Sequence, residues 1–186
     1  IFGGEESYGY LPLDFVRDKD AISSCYFFAE MADWLSESGS TLYDFLNSIY
    51  LKFGLYQEDL LSITMKGIDG MERIQKMMAL FRESAPSEFG GVRLARTADY
   101  LTLLETEAGN TTRKPIRGIP GSDVLQFFLE DGSKITMRPS GTEPKIKFYF
   151  SVNARVAAED LEGMKTTLRN RIDRFKSDLS AKINAV

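Results

Sequence analysis

Arg138-Pro139-Ser140-Gly141-Thr142-Glu143-Pro144-Lys145 separates two β-prone runs, Ser133 to Met137 before it and Lys145 to Val152 after it. The prolines rule out a regular helix or a central strand across this stretch, so it reads as a turn joining two strands. Just upstream, Val124 to Glu130, then Asp131-Gly132, then Ser133 to Met137 carries a strong hairpin signal. After the turn, Ile146, Phe148, Phe150 and Val152 alternate with Lys145, Lys147, Tyr149 and Ser151, which predicts one buried face and one that looks outward. The chain then closes with Leu161, Met164, Leu168, Ile172, Phe175, Leu179 and Ile183, spaced as on a long amphipathic helix. Strands with one apolar face and helices with one apolar stripe make a two-layer α+β domain: an antiparallel sheet with flanking helices.

The side chains on the turn have a chemistry of their own. A guanidinium offers planar bidentate donors, two hydroxyls can donate beside it, and a glycine lets successive backbone N–H groups face one concavity. Those are the parts of a phosphate cradle, with Lys145 and Lys147 adding charge nearby. The plain alternative is a polar connection with a solvated Arg138. The longer string RPSGTEPKIKFY resembles the C-terminal phosphate-binding loop of the alpha-D-phosphohexomutases, the phosphoglucomutase and phosphomannomutase family.

The other end of the chain bears on that resemblance. Gly4-Glu5-Glu6-Ser7-Tyr8-Gly9-Tyr10 sets carboxylates and a hydroxyl among glycines, a set suited to sugar hydroxyls, although an acidic turn has the same composition. GEESYGY is similar to the family's sugar-binding loop, and the resemblance implies that Glu5 and Ser7 hold sugar hydroxyls. Tyr8 stands where many members have glycine or phenylalanine. Arg17-Asp18-Lys19-Asp20 precedes a helix that Asp18 or Asp20 can cap. The resemblance adds that Lys19 points to substrate and assists phosphoryl transfer electrostatically. Arg138, Ser140, Gly141, Thr142 and Lys145 become the phosphate-binding set by the same comparison.

Between these motifs, periodicity predicts a helix over 21–38 with Ile22, Cys25, Tyr26, Ala29, Ala32 and Leu35 inside. A second helix starts at Thr41, where Thr41 and Asp44 form a capping box, and buries Leu42, Phe45, Leu46, Ile49, Tyr50 and Phe53. Leu60 to Lys66 is β-prone, and a third helix follows, capped by Asp69, with Met71, Ile74, Met77, Met78 and Phe81 inside. Gly91 to Ala95 and Tyr100 to Leu104 read as short strands, and Thr106 to Ser122 as an irregular loop whose Arg113, Lys114 and Arg117 are either solvated or part of the phosphate field. Residues 1–58 are thus expected to be the C-terminal part of a third, sugar-binding α/β domain, and 59–186 a C-terminal phosphate-binding α+β domain.

Composition narrows the function classes. A net charge of -4 over 186 residues gives no support to nucleic-acid or membrane-surface binding. No run approaches the ~18 apolar residues of a membrane span. With no histidine and one cysteine a zinc site is not expected, and Cys25 reads as a buried thiol of a reduced compartment, the cytoplasm. The resemblance implies a parent enzyme that exchanges hexose 1-phosphate and hexose 6-phosphate through a bound hexose 1,6-bisphosphate, with Mg2+. Its phosphoserine loop and Asp-rich magnesium loop have no counterpart in this sequence. The expectation is a piece of a longer protein, inactive alone, whose partners are a small phosphosugar and its own N-terminal domains. A non-catalytic phosphosugar-binding or regulatory protein, and a sheet-based interaction module, are the alternatives.

Overall fold

The computed structural model describes residues 3–4, 9–15, 17–67 and 69–184. Contacts divide the chain into two compact units, Ile1–Phe53 and Gly54–Val186. The architecture is mixed α+β, with four helices and a large antiparallel sheet among the described residues.

The first unit pairs β1 (Gly3–Gly4) antiparallel with β2 (Tyr10–Leu11), followed by helices α1 (Ala21–Glu37) and α2 (Leu42–Phe53). Asp20 caps α1, its carboxylate accepting from the Ile22 and Ser23 amides at 3.1 and 3.0 Å. At α2 the capping box forms reciprocally: the Thr41 amide donates to Asp44 Oδ2 at 3.0 Å and the Asp44 amide to Thr41 Oγ1 at 3.1 Å. The Thr41 hydroxyl, then its amide, hold the Asp44 carboxyl below its ordinary value.

The helices form where expected, but of the apolar stripe of α1 only Leu35 is buried, and none of that of α2 is. Ile22 is 83% exposed, Tyr26 64% exposed, and Cys25, expected inside, is exposed. No residue of α2 is buried. The physical reason is geometric: within the described part of this unit α1 packs on α2 and on β2. Two helices can cover one seam, not a full stripe on each. That seam is marked by Trp34 and Phe45, edge to face at 6.1 Å.

The second unit is built on strands β3 (Leu55–Thr64), β4 (Glu88–Phe89), β5 (Val92–Asp99), β6 (Leu104–Glu107), β7 (Arg113–Pro115), β8 (Leu125–Leu129), β9 (Lys134–Pro139) and β10 (Lys145–Ala154), with helices α3 (Gly70–Glu83) and α4 (Leu161–Asn184). The sheet order is β3-β10-β9-β8-β5-β6-β7, with β4 added onto β5. Every pairing is antiparallel. The alternation read from the sequence of β10 is realised: Ile146, Phe148, Phe150 and Val152 are buried while their neighbours are partly exposed. Leu168, Ile172, Phe175 and Leu179 of α4 and Ile74, Met77, Met78 and Phe81 of α3 are buried as well, and both helices pack on β10. Phe81, Phe89 and Phe127 join in ring contacts of 5.1 and 6.1 Å, so one core lies between the helices and one face of the sheet.

Local differences from the sequence reading have identifiable causes. β3 begins at Leu55, not Leu60, because the consecutive polar run Gln57-Glu58-Asp59 hides a strand that pairs with β10 along its whole length. Tyr100 to Leu104 is mostly turn: the Asp99 carboxylate accepts from the Leu101 amide at 3.0 Å and the Thr102 hydroxyl at 2.7 Å, overriding the β-prone side chains that follow. The expected irregular loop contains β7. Asp69 stands before α3 but makes no cap bond, since its backbone is already helical.

Candidate functional site

The 138–145 turn is held at the end of the sheet by backbone bonds that the sequence dictates through its prolines and short strands. The Ser140 amide donates to the Lys145 carbonyl at 2.8 Å, closing the turn across the ends of β9 and β10. The Met65 amide donates to the Pro144 carbonyl at 2.8 Å, fastening the turn to the end of β3. Gly70 completes this anchor. A Cβ built there would lie 2.1 Å from the Met65 carbonyl oxygen and 3.1 Å from Pro144 Cβ, so the start of α3 can meet the base of the turn only with glycine at that position.

Within the turn, Ser140 Oγ accepts weakly from the Thr142 and Glu143 amides at 3.4 and 3.3 Å. This curls the backbone and leaves the hydroxyl proton to donate outward. Gly141 does not adopt a left-handed conformation, and a Cβ built there would meet nothing within 4 Å. The turn therefore does not require glycine for its own backbone. What glycine provides is an unobstructed approach of a ligand oxygen to the main chain.

The cations follow from strand register. Arg138 and Lys147 are directly opposite one another on β9 and β10, and Lys145 shares their face two residues along. This is the face away from the helices, because Met137, Ile146 and Phe148 are the buried neighbours. Lys145 lies 3.9 Å from Glu143, a loose ion pair at an exposed site. Arg138 is exposed and has no carboxylate among the described residues. Two like charges opposite one another in a sheet repel, so an anion placed at this face relieves that repulsion.

Of the other expected site residues, Glu5 and Ser7 lie outside the described residues, as do Glu6 and Tyr8. Lys19 is exposed immediately before the α1 cap. The Asp20 amide donates to the Tyr10 carbonyl at 3.1 Å, which sets the Lys19–Asp20 turn against β2, the strand that follows the Glu5–Tyr8 segment in sequence. Among the described residues no group of three or more His, Cys, Asp or Glu gathers as a metal-ligand set. The sequence reading missed the Met65 and Gly70 anchor. Nothing in the sequence marks it, because it depends on where β3 ends beside Pro144.

Residues 69–164 match the model for the phosphoglucomutase/phosphomannomutase C-terminal domain, and residues 1–53 match that for the family's alpha/beta/alpha domain III. The chain belongs to the phosphoglucomutase/phosphomannomutase family.

A phosphoglucomutase of Staphylococcus aureus (strain MSSA476) is 39% identical over 155 residues, covering 83% of this chain and 28% of that protein. The phosphoglucomutase of Staphylococcus haemolyticus (strain JCSC1435) is 37% identical over 153 residues, 82% of this chain and 28% of the relative. Among solved structures, the open form of the exocytosis-sensitive phosphoprotein pp63/parafusin (phosphoglucomutase) from Paramecium aligns with a TM-score of 0.49 and 18% identity, over 83% of this chain and 26% of that one. This member of the phosphoglucomutase/phosphomannomutase family thus spans 28% of the length of these bacterial relatives. The 138–145 turn and its Met65 anchor both fall within or beside the matched C-terminal domain.

Proposed function

We propose that this chain is the substrate-gripping C-terminal portion of a mutase that interconverts hexose 1-phosphate and hexose 6-phosphate through a bisphosphorylated sugar. The observation that carries the reading is the pair Arg138 and Lys147, in register on an uncovered sheet face beside a turn whose hydroxyl and glycine are open to a ligand. In this role Arg138 takes two phosphate oxygens, Ser140 and Thr142 donate hydroxyl protons, the backbone at Gly141 admits a third oxygen, and Lys145 neutralises remaining charge. Glu5 and Ser7 hold ring hydroxyls, and Lys19 adds positive charge on the sugar side. Holding the non-reacting phosphate places the other end of the sugar for transfer, the positioning on which phosphoryl transfer depends. In this reading the sugar-binding domain ends before β3 and the phosphate-binding domain begins with it, so the boundary expected at 58/59 moves to the start of that strand. Glucose is the favoured hexose, since the relatives reported are phosphoglucomutases. Magnesium and the phosphoryl-donating serine belong to the rest of the parent protein, which is cytoplasmic in this reading, and the 186-residue chain does not turn over substrate alone.

Titration of the isotopically labelled chain with glucose 1-phosphate, followed by amide chemical shifts, tests this. Saturable shifts at Ser140, Gly141 and Thr142 are expected, absent with sorbitol, alongside no conversion of glucose 1-phosphate in a coupled assay. A silent turn at high ligand concentration, or turnover by this chain alone, would count against it.

A further inference from the structure

A second polar concavity lies elsewhere in the same unit, on the opposite face of the sheet. α3 and α4 pack on β10, and α4 also contacts β3 and β4, which leaves the far strands β5, β6 and β7 with a hollow of about 1020 Å³ on the helix side. Its floor is set by register. Thr97 is opposite Thr106, and Thr106 is opposite Arg113, so two hydroxyls and a guanidinium stand in one row across three adjacent strands. Neighbouring strands are about 4.8 Å apart, so the row is about 10 Å long. Thr97 is also opposite Phe127, whose ring packs against Phe81 of α3, which puts the row on the helix face.

The charges around this hollow are mostly settled. Arg82 is bound by Asp99 and Asp123, at 3.2 and 2.7 Å. Burial works to lower the Arg82 pKa, but those two carboxylates raise it overall, so the guanidinium is a fixed strut. Arg93 pairs with Glu130 at 3.0 Å. Lys114 and Glu107 pair at 2.5 Å. Lys114 is opposite Glu105, and the strand alternation turns it to the other face from Arg113. The basic cluster Arg113, Lys114 and Arg117 seen in the sequence is therefore divided by the sheet, and Arg113 alone enters the hollow. Among the described residues Arg113 has no carboxylate, Thr97 and Thr106 have no side-chain hydrogen bond, and Glu83 on the α3 wall has no cation.

We propose that this hollow binds a small polyol carrying one anionic head, a phosphate monoester or a carboxylate. Arg113 takes the head as a bidentate acceptor. Thr106 and Thr97 follow the hydroxylated body, and Glu83 accepts from a hydroxyl at the far side. One unpaired cation and one unpaired carboxylate disfavour a bisphosphate, whose second charge would meet Glu83. The site is separate from the 138–145 turn: it lies across the sheet and several strands away. It does not depend on the function proposed for that turn.

The test uses the 186-residue chain carrying Arg138→Ala, so that the turn's contribution is removed, with glucose 6-phosphate and gluconate as probes and amide shifts as the readout. Saturable shifts centred on Thr97, Thr106 and Arg113 with at least one probe are expected, weakened about tenfold or more by Arg113→Gln. The probe that binds identifies the head group. Shifts that are absent, that persist unchanged in Arg113→Gln, or that appear with aspartate but with neither polyol would overturn the proposal. Far-UV circular dichroism and the spread of amide shifts in Arg113→Gln check that the variant is folded, and Thr106→Val, which keeps the strand and removes the hydroxyl, gives a second route to the same answer.

Discussion

Replacing Arg138 with alanine should weaken phosphate binding and strengthen the fold, two effects of opposite sign from one change. Arg138 and Lys147 are directly opposite each other in the sheet, and Arg138 has no carboxylate among the described residues. Cross-strand pairs of opposite charge are worth roughly 0.2 to 1 kcal/mol and like charges destabilise, so removing one should recover about a few tenths of a kcal/mol in the free protein. The bound state loses far more. A charge-assisted bidentate contact to phosphate is worth about 1.5 to 3 kcal/mol, which at about 1.4 kcal/mol per decade is a loss of roughly 10- to 150-fold in affinity. Urea denaturation at low ionic strength reads the first term, and calorimetric or chemical-shift titration with glucose 1-phosphate reads the second. The stabilisation should shrink as salt is raised, since the repulsion is at an exposed site. A variant that is destabilised by ~1 kcal/mol and binds phosphate as well as the parent would refute the reasoning, because Arg138 would then be a structural residue in a decorative turn.

Gly70→Ala should push on the Met65 carbonyl and Pro144, costing about 1 to 3 kcal/mol in urea denaturation and moving the amide shifts of Ser140 to Lys145; a cost under ~0.5 kcal/mol would show that the anchor yields freely. Phe175→Ala, at a fully buried position of α4, should cost about 3 to 5 kcal/mol by the same measurement. Burial pushes the Asp59 carboxyl up, but the Lys176 ammonium, the Leu60 amide and the Arg169 charge together bring it below its ordinary value of 3.8. A lowered carboxylate pKa stabilises the fold above the unfolded value, and that contribution disappears as pH falls from about 3.8 through the lower folded value. Stability of Asp59→Asn should accordingly fall less than that of the parent over this acid range; identical acid profiles would remove Asp59 from the account.

How much was legible in advance differs between the two units. In the second, each strand around the 138–145 turn shows its buried face by alternation, and α4 by its steps of three and four, because there the apolar pattern and the tertiary partners agree. In the first, the same kind of pattern correctly predicted α1 and α2, but of the side chains it set inside only Leu35 is buried. Periodicity says which side of a helix wants a partner; it does not say that the partner is present. That argument puts Cys25 inside, whereas it is exposed. Local turn chemistry was the other source of error. The Asp99 carboxylate holding Leu101 and Thr102 outweighed a run of β-prone residues, while the Thr41 and Asp44 capping box, whose partners are three residues apart, was read directly.

The sequence by itself determined the local terms: the turn between two strands, the helices and their caps, the sheet's apolar face, and the family motifs that carry a guanidinium, hydroxyls and a glycine. All of these depend on residues within a few positions of one another, where backbone sterics and side-chain reach settle the outcome. Only the tertiary structure decided which charges become neighbours. Arg138 meets Lys147 and Arg113 joins Thr106 and Thr97 through strand register, and Lys114 is turned away from Arg113 by the two-residue period of the strand. Register is fixed by the burial of the whole sheet face at once, and a slip of one residue would send every one of these side chains to the opposite side.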